Sequence, residues 1–354
     1  MTLADLWFIL VAVLWSGYFL LEGFDFGVGM LLPFLPRDEE ERGAMLQTIG
    51  PVWDGNEVWL VVAGAATFAA FPSWYATMFS GFYLALLLIL FFLIVRVVSF
   101  EWRSKSESPR WRSVWTWANT VGSFGASLLW GIGLSCLVYG VPIDSDGNFT
   151  GNLWSLFSPY TVFAGIAVVA LFAFHGATFL TLRVVTGDLH DRAERFARRS
   201  AIPAAVIGAV YLAWTVGVAM DRNDKNLFPP ALPAVLGIAA LALAAFFLLR
   251  SQNGKAFTLT ALAAIAYVAT LFTSLYPRVM VSSTSFSDSL TVSGASSTDY
   301  ALKVMSVVAL IFVPLVLLYQ GWSYYVFRHR VGGAGAPTSP ASEPAAAPPP
   351  TSTS

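Results

Sequence analysis

Long apolar runs punctuated by short polar connections organise the chain. Runs of about 18 residues or more, the length a helix needs to cross a hydrocarbon core, recur at residues 6–35, 48–71, 76–98, 118–141, 159–182, 201–220, 231–249, 257–276 and 303–327. The pattern predicts an all-α polytopic membrane protein with nine transmembrane helices, its membrane domain covering residues 1–330. The first run has no basic flank ahead of it and is much longer than the apolar core of a leader peptide, so it is expected to be a retained span. From residue 331 to 354 the periodicity stops and Ala, Pro, Ser and Gly dominate, with Glu343 as the single charge. Such a composition predicts a disordered tail.

The basic residues then set orientation. Arg37 and Arg42 follow the first run, and Arg96, Arg103, Lys105, Arg110 and Arg112 the third. Arg183, Arg192, Arg195, Arg198 and Arg199 follow the fifth, Arg250 and Lys255 the seventh, and Arg328 and Arg330 the ninth. Sixteen of the twenty basic residues fall on one side, against Arg222, Lys225, Arg278 and Lys303 on the other. The positive-inside rule places the N-terminus outside and the tail in the cytoplasm, as an odd number of spans requires. The same order of basic and neutral loops recurs in the first four runs and the next four. The expected architecture is therefore two four-helix bundles in the same orientation plus one extra helix. A repeat unit with an even number of spans speaks against an inverted-repeat transporter.

Composition sharpens this reading. Of the 354 residues, 56% are hydrophobic and 12% charged, with mean hydropathy +0.67, against about a quarter charged in a soluble domain. Lipid is the natural solvent. A net charge of −1 gives no reason to expect nucleic acid as a partner. Cys136 stands alone and cannot form an internal disulfide.

Two segments break the apolar pattern. The first run contains Glu22-Gly23-Phe24-Asp25-Phe26-Gly27-Val28-Gly29, and the second Gly50-Pro51-Val52-Trp53-Asp54-Gly55-Asn56-Glu57-Val58-Trp59. In each, two carboxylates three residues apart share a helix face, and charge in lipid is costly enough that these faces must point into protein. With the N-terminus outside, Glu22 lies about 24 Å along the first span and Asp54 about 9 Å into the second from its cytoplasmic end, at 1.5 Å per residue. All four carboxylates belong to the cytoplasmic half and are candidate proton carriers. The bland alternative is structural: Gly23 and Gly27 form a small-xxx-small pair suited to close helix packing, and the acids can bond backbone amides or a buried Arg96. Among the histidines only His175 lies within a span. It is a candidate haem ligand or, more simply, a polar contact between helices. No CxxC, HExxH or Gly-rich phosphate loop is present, so metal, protease and nucleotide chemistry gain no support.

These two blocks, in order, resemble subunit II of the cytochrome bd-type quinol oxidases. So do Phe79-Ser80-Gly81-Phe82-Tyr83, Phe100-Glu101-Trp102-Arg103, Arg110-Trp111-Arg112, and the late pattern Ser289-Leu290-Thr291, Ala295-Ser296-Ser297 and Leu302. The likeness covers about residues 5–330. It implies a multi-pass subunit of the bacterial plasma membrane with no catalytic, cofactor-binding or metal-ligating residue of its own. Its partner, the larger subunit I, would carry haems b558, b595 and d and the quinol site, and small accessory subunits and a structural quinone are further implied components. The complex would oxidise quinol and reduce dioxygen to water with protons drawn from the cytoplasm. By the same resemblance, Asp54 and Asp25, with Glu22 and Glu57, belong to a proton path. Trp59 would lie on a dioxygen route, and Trp53 would pack beside Asp54. A proton-coupled secondary transporter and a purely structural subunit are the alternatives.

Overall fold

The structure, a computed structural model, describes residues 1–332. Twelve α-helices form within them: α1 Leu3–Leu31, α2 Glu39–Ile49, α3 Trp53–Ala70, α4 Pro72–Gly81, α5 Tyr83–Trp102, α6 Pro109–Tyr139, α7 Pro159–Arg183, α8 Asp188–Arg222, α9 Ala231–Leu249, α10 Asn253–Leu275, α11 Val292–Ala295 and α12 Asp299–Val326. A small antiparallel hairpin, β1 Arg278–Met280 with β2 Leu290–Thr291, lies between α10 and α11. Proline at the first turn starts α4, α6 and α7, where its missing N–H costs nothing. Gly140, at φ +94, takes the left-handed conformation that ends α6.

Eight of these helices, α1, α5, α6, α7, α8, α9, α10 and α12, are long and apolar enough to cross a membrane. Two of the expected runs differ in detail. Most of the run at 48–71 becomes α3, of 18 residues, about 27 Å long. It carries Asp54 and Glu57 and falls outside the apolar eight. Ahead of it, α2 is a separate polar helix, broken from α3 at Pro51, which lacks the N–H that a continuing helix would use. The run at 76–98 is interrupted at Phe82, between α4 and α5, and α5 continues to Trp102. Arg96, counted above with loop charge, is therefore buried inside the protein.

Helix α1 is central and packs against α3, α6, α7 and α10. Helices α7, α8, α9 and α10 close into a ring, each touching the next and α10 returning to α7, which is one of the two expected bundles. The first group does not close in the same way. Helix α5 packs on α6, but α3 and α5 are joined through α4, leaving an apolar cavity of about 640 Å³ walled by Leu60, Phe68, Phe79, Leu86 and Leu90. At the tightest approach of α1 to α7, Gly27 lies against Gly176 and the Phe172 carbonyl, so that a Cβ on either glycine would strike the opposing backbone.

The connections gather at two ends. At one end Glu39 of α2 pairs with Arg42, Arg103 and Arg112, Glu41 pairs with Arg192, and Arg198 bonds Ser251. At the other, Thr77 donates to the Gly147 carbonyl (2.6 Å), the Ser297 amide to that of Ala70 (2.8 Å), and Asn223 to that of Ser274 (3.2 Å). Val331 is held to the basic end through Arg183 and Val185; the remainder of the expected tail, from residue 333, lies outside the described residues.

Candidate functional site

The helix face carrying Glu22 and Asp25 turns inward, and both carboxylates are fully buried. Glu22 forms an ion pair with Arg96 of α5, also fully buried. The Arg96 guanidinium lies over the rings of Phe26 (4.8 Å) and Phe100 (5.5 Å), which shelter a cation without adding a competing charge. Asp25 takes a different partner: Asn56 Nδ2 of α3 donates to its Oδ2 at 2.7 Å. The Asn56 carbonyl oxygen in turn accepts from the Tyr324 hydroxyl (2.7 Å) and Gln320 Nε2 (3.4 Å) of α12. Trp59 Nε1 donates to Gln320 Oε1 (2.8 Å). Three helices are thereby joined in one file: Asp25 on α1, Asn56 and Trp59 on α3, and Gln320 and Tyr324 on α12.

The other two carboxylates are placed differently. Asp54 stands in the first turn of α3 on a face exposed in this chain, with no ion pair or hydrogen bond among the described residues, and Glu57 is partly buried one turn further on. Trp53 packs against Phe100 of α5, with ring centroids 5.2 Å apart. Trp59 reaches toward α1 at Gly17, where its ring occupies the space that a side chain would need.

The acids stand out in the sequence, but most of their partners do not. Asn56 lies inside the Gly50–Trp59 block with no charge to mark it. Gln320 and Tyr324 are polar residues four apart beyond the long apolar stretch of α12, and that spacing is the available signal. A second buried polar set lies between α5 and α6, where Asn119 Nδ2 donates to Ser99 Oγ (2.8 Å) and Arg103 Nε to Thr116 Oγ1 (3.0 Å).

His175 is taken up by contacts between helices. His175 Nε2 donates to the Leu20 carbonyl (3.1 Å), which leaves Nδ1 to meet the Thr260 hydroxyl (2.8 Å). Its ring stacks on Phe257 at 4.8 Å. Both nitrogens are engaged between helices, as the simpler reading expected. His190 lies beside Asp191, and His329 is exposed beyond α12. Among the described residues no three His, Cys, Asp or Glu side chains gather as a metal site.

Comparison with known proteins agrees with this geometry. The family model for cytochrome bd terminal oxidase subunit II matches residues 3–327. The chain is 43% identical over 335 residues to the cytochrome bd ubiquinol oxidase subunit 2 of Bacillus subtilis, covering 93% of this chain and 97% of that protein. It is 37% identical to the cytochrome bd-I ubiquinol oxidase subunit 2 of Escherichia coli K12, covering 92% and 94%. Among solved structures, a chain of the bd oxidase from Geobacillus thermodenitrificans shares the fold, with TM-score 0.72 and 19% identity, covering 92% of this chain and 99% of that one. A transporter reading finds no support in these relatives. Buried acids on an inward helix face, a buried His175 committed to helix contacts, and a match along nearly the whole length converge: the chain belongs to the cytochrome bd terminal oxidase subunit II family.

Proposed function

We propose that this chain is the haem-free subunit of a respiratory quinol:dioxygen oxidoreductase in the bacterial plasma membrane, and that it carries protons from the cytoplasm toward the partner's oxygen-reducing centre. The relatives' names supply the oxidase role. The haems, b558, b595 and d by family likeness, supply electron transfer and dioxygen reduction when bound in subunit I. A structural quinone and small accessory subunits belong to the same expectation. The end of the bundle where Arg103, Arg112, Arg192 and Arg198 meet is assigned to the cytoplasm by the positive-inside rule.

The observation that carries the proton reading is the polar file from Asp25 through Asn56 to Tyr324 and Gln320, built where lipid would otherwise surround it. Asp54 and Glu57 stand ahead of this file, on the exposed and partly buried flank of α3. Asp54 is suited to collect a proton at the edge of the chain. Asp25, held by one carboxylate oxygen with Oδ1 left without a protein partner, is suited to receive it and pass it on. Glu22 is better suited to a fixed role, because its charge is committed to Arg96. Trp59, fixed by Gln320 and seated against Gly17, fits the wall of an apolar passage for dioxygen and is proposed for that role.

The test is turnover of the purified two-subunit oxidase. Asp54→Asn and Asp25→Asn are expected to lower quinol oxidation at least about ten-fold, the scale on which a positioned proton-transfer group acts, with the haem spectrum unchanged. Full turnover in both variants and in Glu57→Gln would remove the proton reading. Loss of haem in step with activity would instead favour a structural subunit, the reading that the Glu22–Arg96 pair supports.

A further inference from the structure

Beyond the proton file, a second feature of α12 opens toward the membrane. Leu20 and Phe24 of α1, Phe179 and Arg183 of α7, Phe257 of α10 and Arg328 after α12 enclose a slot of about 410 Å³. Its walls are mostly aromatic and aliphatic, and its mouth is cationic. Arg183 is half-buried and has no carboxylate within ion-pair distance among the described residues; its guanidinium lies 6.0 Å from the Phe179 ring. Arg328 is exposed, stacked on Tyr325 at 3.7 Å and donating to the Tyr325 carbonyl at 2.8 Å. Elsewhere at this end the arginines that turn inward are matched: Arg96 by Glu22, Arg103 by Glu39 and Arg192 by Glu41.

A helix C-terminus favours a cation, and that accounts for Arg183 taken alone. It does not account for two arginines at the mouth of one apolar slot with no acid beside them among the described residues. An apolar body with an anionic end would complement the slot, and between membrane helices such basic pockets hold anionic lipid headgroups. The geometry points to a binding site for an anionic phospholipid, its phosphate on Arg183 and Arg328 and an acyl chain along Leu20, Phe24, Phe179 and Phe257. The topology proposed above assigns that lipid to the cytoplasmic leaflet, but the charge match holds for either orientation. The site also borders the proton file. Tyr324 lines the slot with its ring while its hydroxyl bonds Asn56, so a seated lipid covers the outer side of the residue that closes the file.

The test uses the purified two-subunit oxidase, gently delipidated and titrated with palmitoyl-oleoyl phosphatidylglycerol, with palmitoyl-oleoyl phosphatidylcholine, or with inorganic phosphate, and bound lipid is counted by native mass spectrometry. Wild type is expected to retain one phosphatidylglycerol at least about five-fold more tightly than phosphatidylcholine, and free phosphate is not expected to displace it. Arg183→Gln with Arg328→Gln should bring the two lipids to parity with haem content and turnover intact. Leu20→Trp, which fills the slot and keeps both arginines, should lower retention of both lipids. Equal retention of the two lipids by wild type overturns the proposal even if the double variant does not assemble. Displacement by inorganic phosphate, or recovery of a quinone in place of phospholipid on extraction, overturns it as well. Failure of the proton-path variants would leave this result untouched, because lipid retention is read without turnover.

Discussion

The Glu22–Arg96 pair is the most demanding contact in the chain, because neither charge has access to water. Desolvation makes such a pair a weak source of net stability, yet removing one partner leaves the other uncompensated at a cost of about 3–5 kcal/mol. Glu22→Gln alone is therefore expected to lower the melting temperature and the yield of assembled oxidase sharply. Glu22→Gln with Arg96→Met, which removes both charges and keeps most of the volume, should recover much of that loss, as thermal melts of the haem-containing complex would record. Equal damage in the single and double variants would show that the pair is not the operative unit. The acids themselves were legible in the sequence because charge inside an apolar run stands out at once. Their partners were less so: Arg96 lies 74 positions from Glu22 and Tyr324 lies 268 from Asn56, and no local periodicity reports a contact between distant helices.

At the scale of helices, sequence pattern located most of the apolar spans but not how they are interrupted. Hydrophobicity alone merged α4 with α5 across Phe82, and it extended the second span back into residues that α2 claims, because Gly50-Pro51 reads as a breaker only once a helix precedes it. Helix α2 is the platform for the ion pairs at the basic end, and Glu39 is the group there with a pH signature. Burial pushes its carboxyl up, but the hydrogen bond and charge of Arg103, with Arg42, outweigh that and hold it below the ordinary glutamate value of 4.5. A folded-state pKa below the unfolded one adds stability that is complete above the unfolded value and is lost as pH falls through the folded value. Glu39→Gln should thus cost less than about 1 kcal/mol at pH 7, given how exposed this carboxylate is, and the difference from wild type should shrink below about pH 4. Melting curves at the two pH values check it. Between α1 and α7, a Cβ on Gly27 would meet the backbone of Phe172 and Gly176. Gly27→Leu cannot be relieved by moving a side chain, and overpacking of this kind costs roughly 1–3 kcal/mol or more. A fall in melting temperature is expected, against near-wild-type behaviour for Gly133→Ala, whose added Cβ meets open space.

For the molecule as a whole, exposure on the flank of α3 carries a different meaning from exposure on α9 or α12. Apolar side chains facing lipid need no further partner. A carboxylate does, since an aspartate turned to hydrocarbon costs about 2.5–3.5 kcal/mol at the centre of a span and less toward its end. Asp54 is exposed in the chain by itself, so the face of α3 that bears it belongs against protein, and the larger oxidase subunit is the partner of the required kind. Val58 lies one turn beyond Asp54 on the same face and is 49% exposed. Leu243 on α9 is comparably exposed, at 46%, but belongs to the closed ring, with no charge on its face to call for cover. Single cysteines at these two positions offer a direct comparison, because the native Cys136 is buried against the Leu156 carbonyl and should contribute little background. In membranes holding the assembled oxidase, Val58→Cys is expected to cross-link to subunit I with a short bifunctional reagent and to resist a water-soluble maleimide. Leu243→Cys should give no cross-link. Cross-linking from Leu243 and not from Val58 would move the interface to the opposite side and overturn the assignment of the Asp54 face to subunit I.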